Sequence, residues 1–207
     1  MILIPEIETV VILVPRTGTT ALIRAIKHRY PDAIRLYRHM EADGIPRGYD
    51  QWAKVGVVRN PLHRLFSLYC YLKTFDGPYP EEYLESQRAS VDRDFSDWIL
   101  NNETPFTNPY DTSGNGKFYP QYMIGHNLPE NRKSQYVYLR PDLGTVVYRY
   151  ESELRQLEHR LNILLPRGVN ASSDFGPMPP ITKEVQEYVK RAFSWDFYVT
   201  GAHTVAL

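Results

Sequence analysis

Thr9-Val10-Val11-Ile12-Leu13-Val14 is β-branched or apolar at every position, and it runs directly into Pro15-Arg16-Thr17-Gly18-Thr19-Thr20. A run with no polar face to give to water reads as a strand buried on both sides, the situation of a parallel sheet covered by helices. It breaks at Pro15 to Gly18. From Thr19 to His28, Ala21, Leu22, Ala25 and Ile26 then fall on one helical face. The stretch is a strand, loop, helix unit, and the rest of the chain repeats the pattern. Ala33 to Tyr37 (AIRLY) reads as a second short strand and Lys54 to Val58 (KVGVV) as a third. The third ends at Arg59-Asn60-Pro61, where Asn60 suits a helix N-cap and Pro61 the first helical position, ahead of Leu62, Leu65, Phe66, Tyr69 and Leu72. Strands alternating with helices predict an α/β fold with a mostly parallel central sheet flanked by helices.

Beyond Asp76 the character shifts. Phe95 to Leu100 reads as a short helix. From Asn101 to Gly116, thirteen of sixteen residues are Asn, Thr, Pro, Asp, Ser or Gly, which is loop chemistry. A loop of that length in a compact domain is commonly functional. Two β-rich runs follow, Tyr136 to Leu139 and Thr145 to Tyr150, around the turn Arg140-Pro141-Asp142-Leu143-Gly144. Leu154, Leu157, Leu161 and Leu164 mark one amphipathic helix. Val185, Tyr188, Val189, Ala192 and Phe193 mark another, after the Pro-rich stretch from Pro177 to Pro180. No linker divides the chain, so residues 1–207 read as one domain, with 76–118 as an insertion.

Composition narrows the function. Among 207 residues, 24 Lys and Arg balance 24 Asp and Glu, leaving no net charge. A chain whose main task is to hold nucleic acid needs a clear excess of cations, so any anion it binds is expected at a local site. With 43% hydrophobic and 23% charged residues, the chain is a globular one and not a disordered or fibrous one. Its single cysteine, Cys70, excludes an intrachain disulfide and a multi-thiolate metal site and fits a reducing compartment, so the cytoplasm is the expected location. The longest apolar run, Val10 to Val14, is far short of the roughly 20 residues of a membrane span, and Pro5, Glu6 and Glu8 stand where a secretory signal would carry cations. No membrane span is expected. The sequons at Asn102 and Asn170 would matter only in a secreted protein.

Two segments have the chemistry of anion sites. At Pro15 to Thr20, a helix N-terminus supplies N–H groups and a positive dipole end, three threonines supply hydroxyls, Gly18 allows close backbone approach and Arg16 adds a cation. The segment lacks the second glycine and the lysine of a Walker A loop. In the second segment, Arg59 stands at the carboxyl end of a strand, where ligands bind in open α/β sheets, and Ser67 lies about two helical turns beyond. Taken singly, each also fits ordinary structure: a capped strand-to-helix turn, and an arginine paired with a carboxylate.

Together, Pro15-Arg16-Thr17-Gly18-Thr19-Thr20 and Arg59-Asn60-Pro61 with Arg64, Ser67 and Tyr69 resemble the two signature motifs of the sulfotransferases that use 3'-phosphoadenosine 5'-phosphosulfate (PAPS). These are a P-[KR]-[ST]-G-[ST]-[ST] loop and an R-[DN]-P-x-x-R-x-x-S-x-Y segment, and every defining position is filled. Tyr148-Arg149-Tyr150-Glu151 ahead of the leucine-rich helix is similar to the family's R-[YF]-E-x-L segment. Asn170 to Ser172 with Phe193 to Phe197 resembles its C-terminal part. The bacterial and carbohydrate branch is the nearer likeness.

The resemblance implies a P-loop-like three-layer fold. It implies a 5'-phosphosulfate held by Arg16, Thr17, Gly18, Thr19 and Thr20, and a 3'-phosphate held by Arg59 and Ser67. Residues 76–118 fall where acceptor-specific insertions lie. Arg16 departs from the lysine of many members: it keeps the charge but cannot give up a proton, so an acid role for it is in doubt.

Sulfuryl transfer to a hydroxyl needs a base for the acceptor proton and stabilisation of the leaving phosphate oxygen. Arg16 is the expected partner of the leaving group. Of six histidines, His39 follows the second strand and should emerge at the sheet edge that carries Arg16 and Arg59, and bacterial members that this chain resembles have a histidine in that segment. His39 is the expected base, with Glu41 in reserve. His63 and Arg64 lie on the helix of the second motif, and His159 reads as a solvated position. No pair of histidines has metal-ligand spacing, so no metal is expected. The expected acceptor is a small molecule or a carbohydrate. A P-loop phosphotransferase and a non-catalytic nucleotide-binding module on the same scaffold are the competing readings.

Overall fold

The computed structural model describes residues 1–36, 39–77, 79–101, 134–166, 168 and 175–201. Along them run β1 (Ile2–Ile4), β2 (Thr9–Ile12), α1 (Thr19–Arg29), β3 (Ile34–Arg35), β4 (Ala53–Val58), α2 (Pro61–Lys73), α3 (Glu81–Ala89) and α4 (Phe95–Asn101). There follow α5 (Gln135–Leu139), β5 (Val146–Arg149), α6 (Leu154–Leu161), α7 (Lys183–Ala192) and α8 (Ser194–Thr200). These elements group into two compact units. One holds residues 1–59 and 134–168, the other residues 60–101 and 175–201.

The first unit is built on a five-stranded sheet in the order β3-β1-β2-β4-β5. β2, β4 and β5 are parallel neighbours, in register from Val11↔Val55 and Val55↔Val146. β1 is antiparallel to both β2 and β3. The sheet is therefore mixed: four strands share one direction, in keeping with the mostly parallel sheet expected, and β1 alone among the described strands opposes them. The cause is local. After Ile4, the 3-10 turn Pro5–Ile7 and a left-handed Glu8 (φ 45°) reverse the chain, so that Ile4 faces Thr9 as in a hairpin.

All four β2 residues are buried, as a strand without a polar face requires. On one face of the sheet, Ile2, Ile4, Val11, Leu13, Val55 and Val57 pack with Leu22, Ile23, Ala25 and Ile26 of α1 and with Leu157 and Leu161 of α6. Gly56 alternates to the opposite face. There a Cβ would stand 2.1 Å from Leu139 Cδ2, so Gly56 is the notch that seats α5 on the sheet. Leu139 is completely buried and cannot swing aside into solvent. Gly56→Ala is therefore expected to overpack this contact and to destabilise the protein by about 1–3 kcal/mol, read as a lower urea midpoint at unchanged slope.

Three readings of the sequence give way here. Tyr136 to Leu139, β-rich by composition, lies in helix α5: the Ser134 hydroxyl accepts the Tyr136 N–H at 3.1 Å and Arg140 closes the helix in left-handed backbone (φ 45°), so capping outweighs strand propensity. Leu164 is not part of the leucine stripe. Helix α6 stops at Leu161, a left-handed Asn162 (φ 49°) turns the chain away, and Leu164 is exposed. The second strand shrinks to Ile34–Arg35, and Tyr37 lies outside the described residues. After α5, Arg140 forks onto the Asp142 carboxylate at 2.8 Å and 3.0 Å; that hydrogen-bonded pairing holds the Asp142 carboxyl below its usual range.

The second unit is helical. Asn60 accepts the N–H groups of Leu62 (3.0 Å) and His63 (3.4 Å), and Pro61 starts α2 as expected. The core gathers Leu62, Leu65, Phe66 and Tyr69 of α2, Phe95 and Trp98 of α4, and Val185 and Val189 of α7 with Phe193. Tyr69 packs against Phe95 and Trp98 at centroid distances of 5.3 Å and 5.6 Å, and its hydroxyl donates to the Arg93 carbonyl. Cys70 is buried in this core. No helix among the described residues is long and apolar enough to cross a membrane.

Candidate functional site

The carboxyl ends of β2, β4 and β5 lie side by side, because the parallel register pairs Ile12 with Gly56 and Val58 with Arg149. Arg16, Arg59 and Tyr150 each stand just beyond one of these ends. Such an edge collects the loops that follow the strands and the positive ends of the helices that follow the loops.

Beyond β2, the chain does not pass simply into α1. Arg16 (φ 66°) and Gly18 (φ 81°) are both left-handed, with Thr17 between them. The turn is tied by the Thr17 hydroxyl, buried in place, which donates to the Val14 carbonyl at 2.9 Å. With that proton committed, what Thr17 offers an anion is its backbone N–H. Gly18 is the N-cap of α1, no side chain caps the helix, and its first turn carries no acidic residue. The electrostatics of this end thus favour an anion over a cation. Thr19 is buried and Thr20 half-buried in that first turn.

Gly18 is held closely from the side. A Cβ there would lie 3.1 Å from the Tyr150 ring, on a backbone that L side chains rarely adopt. Gly18→Ala is expected to cost about 1–2 kcal/mol for the left-handed backbone alone, checked by thermal unfolding, and to push the turn off the Tyr150 ring.

Beyond β4, Arg59 is half-buried and its guanidinium lies over the Tyr150 ring, Cζ 4.7 Å from the centroid. One of its Nη groups donates to the Arg16 carbonyl at 3.3 Å. The two sequence motifs, 43 residues apart, are thus joined by a direct hydrogen bond and share one aromatic ring. Tyr150 itself is fixed by its N–H, which donates to the Val58 carbonyl at 2.7 Å and extends the β4–β5 pairing one step past the ladder. The backbone of Arg59 is gripped by a side chain: its N–H donates to Gln135 Oε1 at 2.9 Å and its carbonyl accepts from Gln135 Nε2 at 2.8 Å.

His39 reaches the same edge. Its Nδ1 lies 2.8 Å from the carbonyl of Leu13, the residue after β2. A carbonyl can only accept, so Nδ1 carries the proton of this hydrogen bond, and in the neutral form of the ring Nε2 is the basic nitrogen. Glu41 is buried, two residues on, and leads into the 3-10 turn Ala42–Gly44.

Arg16, Thr17, Gly18, Thr19, Thr20, His39 and Arg59 all belong to the first unit. Ser67 and Arg64 belong to the second, both buried on α2. His28, His63 and His159 are exposed. His126 and His203, the segment 102–118, the sequon residues Asn102 and Asn170, and Asn170 to Ser172 lie outside the described residues. No group of three metal-ligating side chains occurs among the described residues.

Tyr150 carried a signal in the sequence, as the aromatic of Arg149-Tyr150-Glu151 in the R-[YF]-E-x-L likeness one residue past β5, but that likeness attaches no role to it. Gln135 had no such signal, because it meets Arg59 across 76 residues. The chain matches no family model, no curated protein and no solved structure.

Proposed function

We propose that the chain is a PAPS-dependent sulfotransferase, moving a sulfuryl group to a hydroxyl or amine of a small-molecule or carbohydrate acceptor. The observation that carries this reading is the meeting of its two motifs: Arg59 donates to the Arg16 carbonyl at the carboxyl edge of three parallel strands. The resemblance assigns these loops to the two ends of one nucleotide, the 5'-phosphosulfate and the 3'-phosphate. A P-loop-like three-layer arrangement and a cytoplasmic setting, where the buried thiol of Cys70 stays reduced, belong to the same reading.

The donor set suits the co-substrate. Arg16 and the N–H groups at the start of α1 would bind the 5' end, with no acidic side chain in that turn to oppose it. Arg59 would bind the 3'-phosphate; a planar guanidinium grips two oxygens at once.

The chemistry then falls to two groups. His39 Nε2 takes the proton of the acceptor hydroxyl as its oxygen forms a bond to sulfur. The bond between sulfur and the bridging phosphate oxygen breaks, and its electron pair stays on that oxygen. Arg16 stabilises this growing charge as a fixed cation, leaving the product nucleotide 3',5'-adenosine bisphosphate (PAP). The Leu13 carbonyl holds the proton on Nδ1, which leaves Nε2 as the basic nitrogen of the neutral imidazole.

Incubation with sulfur-labelled PAPS and a panel of sugar and phenolic acceptors tests the reading. Label on an acceptor together with released PAP is the expected outcome. Tight PAP binding with no transfer to any acceptor would replace it with a non-catalytic nucleotide-binding module. Magnesium-dependent turnover of ATP would replace it with a phosphotransferase.

A further inference from the structure

We infer that Gln135 is a positioning residue for Arg59, acting as a one-residue strand partner that fixes the root of the arginine. Its side chain is fully buried, and both halves of its amide bond the backbone of one residue. The roles of the two amide atoms follow from chemistry, since the Arg59 N–H can only donate and its carbonyl can only accept.

The location explains the need. β4 ends at Val58, and on the β5 side the pairing ends with the Tyr150 N–H on the Val58 carbonyl. At Arg59 the backbone N–H and C=O are instead taken by an amide side chain, a planar donor and acceptor pair that mimics a peptide group. An apolar side chain of the same length would leave both groups without these bonds.

Helix α5 is docked on β4 twice, by Leu139 against Gly56 and by Gln135 on Arg59, so the clamp cannot drift along the strand. Holding the N–H and carbonyl on either side of the Arg59 Cα fixes that residue's backbone. The guanidinium then starts from a set point toward the Tyr150 ring and the Arg16 carbonyl. Order established before the ligand arrives does not have to be paid for on binding. What Arg59 binds rests on the sulfotransferase reading; the clamp does not.

The test uses the full chain with Gln135→Met, close in length but without the amide, and Gln135→Asn, which keeps the amide one methylene short. Two quantities are read: amide hydrogen exchange at Arg59 without ligand, and the ratio of PAP to AMP affinity by calorimetry. Exchange at Arg59 should be slow in the wild type and several-fold faster in each variant that retains the wild-type far-UV spectrum. The affinity ratio should fall by about 3- to 10-fold with AMP affinity unchanged, the scale expected for losing the order of one long side chain. A folded variant with wild-type exchange at Arg59, or with an unchanged ratio where the wild type discriminates, overturns the role. Should the wild type bind PAP and AMP equally, the sulfotransferase reading fails and exchange alone decides the clamp. If Gln135→Met does not fold, Gln135→Asn carries both measurements.

Discussion

Arg59→Ala is expected to erase the preference for PAP over AMP while leaving AMP affinity nearly unchanged. The two nucleotides differ only at the 3'-phosphate, so the ratio isolates the group that Arg59 is proposed to hold. Hydrogen bonds to charged groups contribute about 1.5–3 kcal/mol, which corresponds to roughly a 10- to 100-fold loss of PAP affinity. The geometry supports a value toward the upper end. The guanidinium is half-buried against Tyr150 and already oriented by its bond to the Arg16 carbonyl, so little order remains to be gained on binding. Arg59→Lys should recover only part of the loss, because an ammonium keeps the charge without the two-oxygen fork. Loss of PAP and AMP affinity in equal measure would show that Arg59 supports the Arg16 turn and does not read the 3' end.

The second large effect concerns turnover. His39→Ala should lower the transfer rate by about 10²- to 10⁴-fold, the usual worth of a positioned general base, while PAP affinity stays at its wild-type value. The two quantities separate because His39 is held through Leu13, at the carboxyl end of β2, and is given no role toward either phosphate. Initial rates at saturating PAPS, beside calorimetry on the same protein, provide the check. If His39→Ala turns over normally and Glu41→Gln does not, the base is the buried Glu41. If both retain turnover, neither residue takes the acceptor proton.

Those residues were legible in the sequence for a physical reason. A strand buried on both faces, a Gly-containing break and an N-capped helix are local signals, so the strand, turn and helix from Thr9 to Arg29 and the capped helix to Lys73 formed where their patterns predict, with β2 ending at Ile12, two residues short of Val14. Local signals also misled. Tyr136 to Leu139 has strand composition, yet the cap at Ser134 and the left-handed Arg140 make it a helix, and that helix brings Gln135 to Arg59.

β1 escaped notice because three residues are too few for a periodicity, and its partner is recognised only once the turn at Pro5 to Glu8 is known. Helices α3 and α8 carry little apolar patterning over nine and seven residues. The chain passes from one compact unit to the other between Arg59 and Asn60, inside the second motif and at a helix cap, where no Gly-, Ser- or Pro-rich linker composition advertises a change. The candidate site itself rests on pairings invisible to spacing: the Arg59 bond to the Arg16 carbonyl, the shared Tyr150 ring and the Gln135 clamp.

On the proposed function, the edge carrying Arg16 and Arg59 binds a nucleotide with phosphate at both its 3' and 5' ends. Isothermal calorimetry of the wild-type chain with PAP and with AMP, in one buffer and without magnesium, tests it most directly. The account predicts that PAP binds at least about 10-fold more tightly than AMP, the contribution of one charge-assisted contact at the 3' end. Equal affinity for the two nucleotides, or binding of neither, would contradict it.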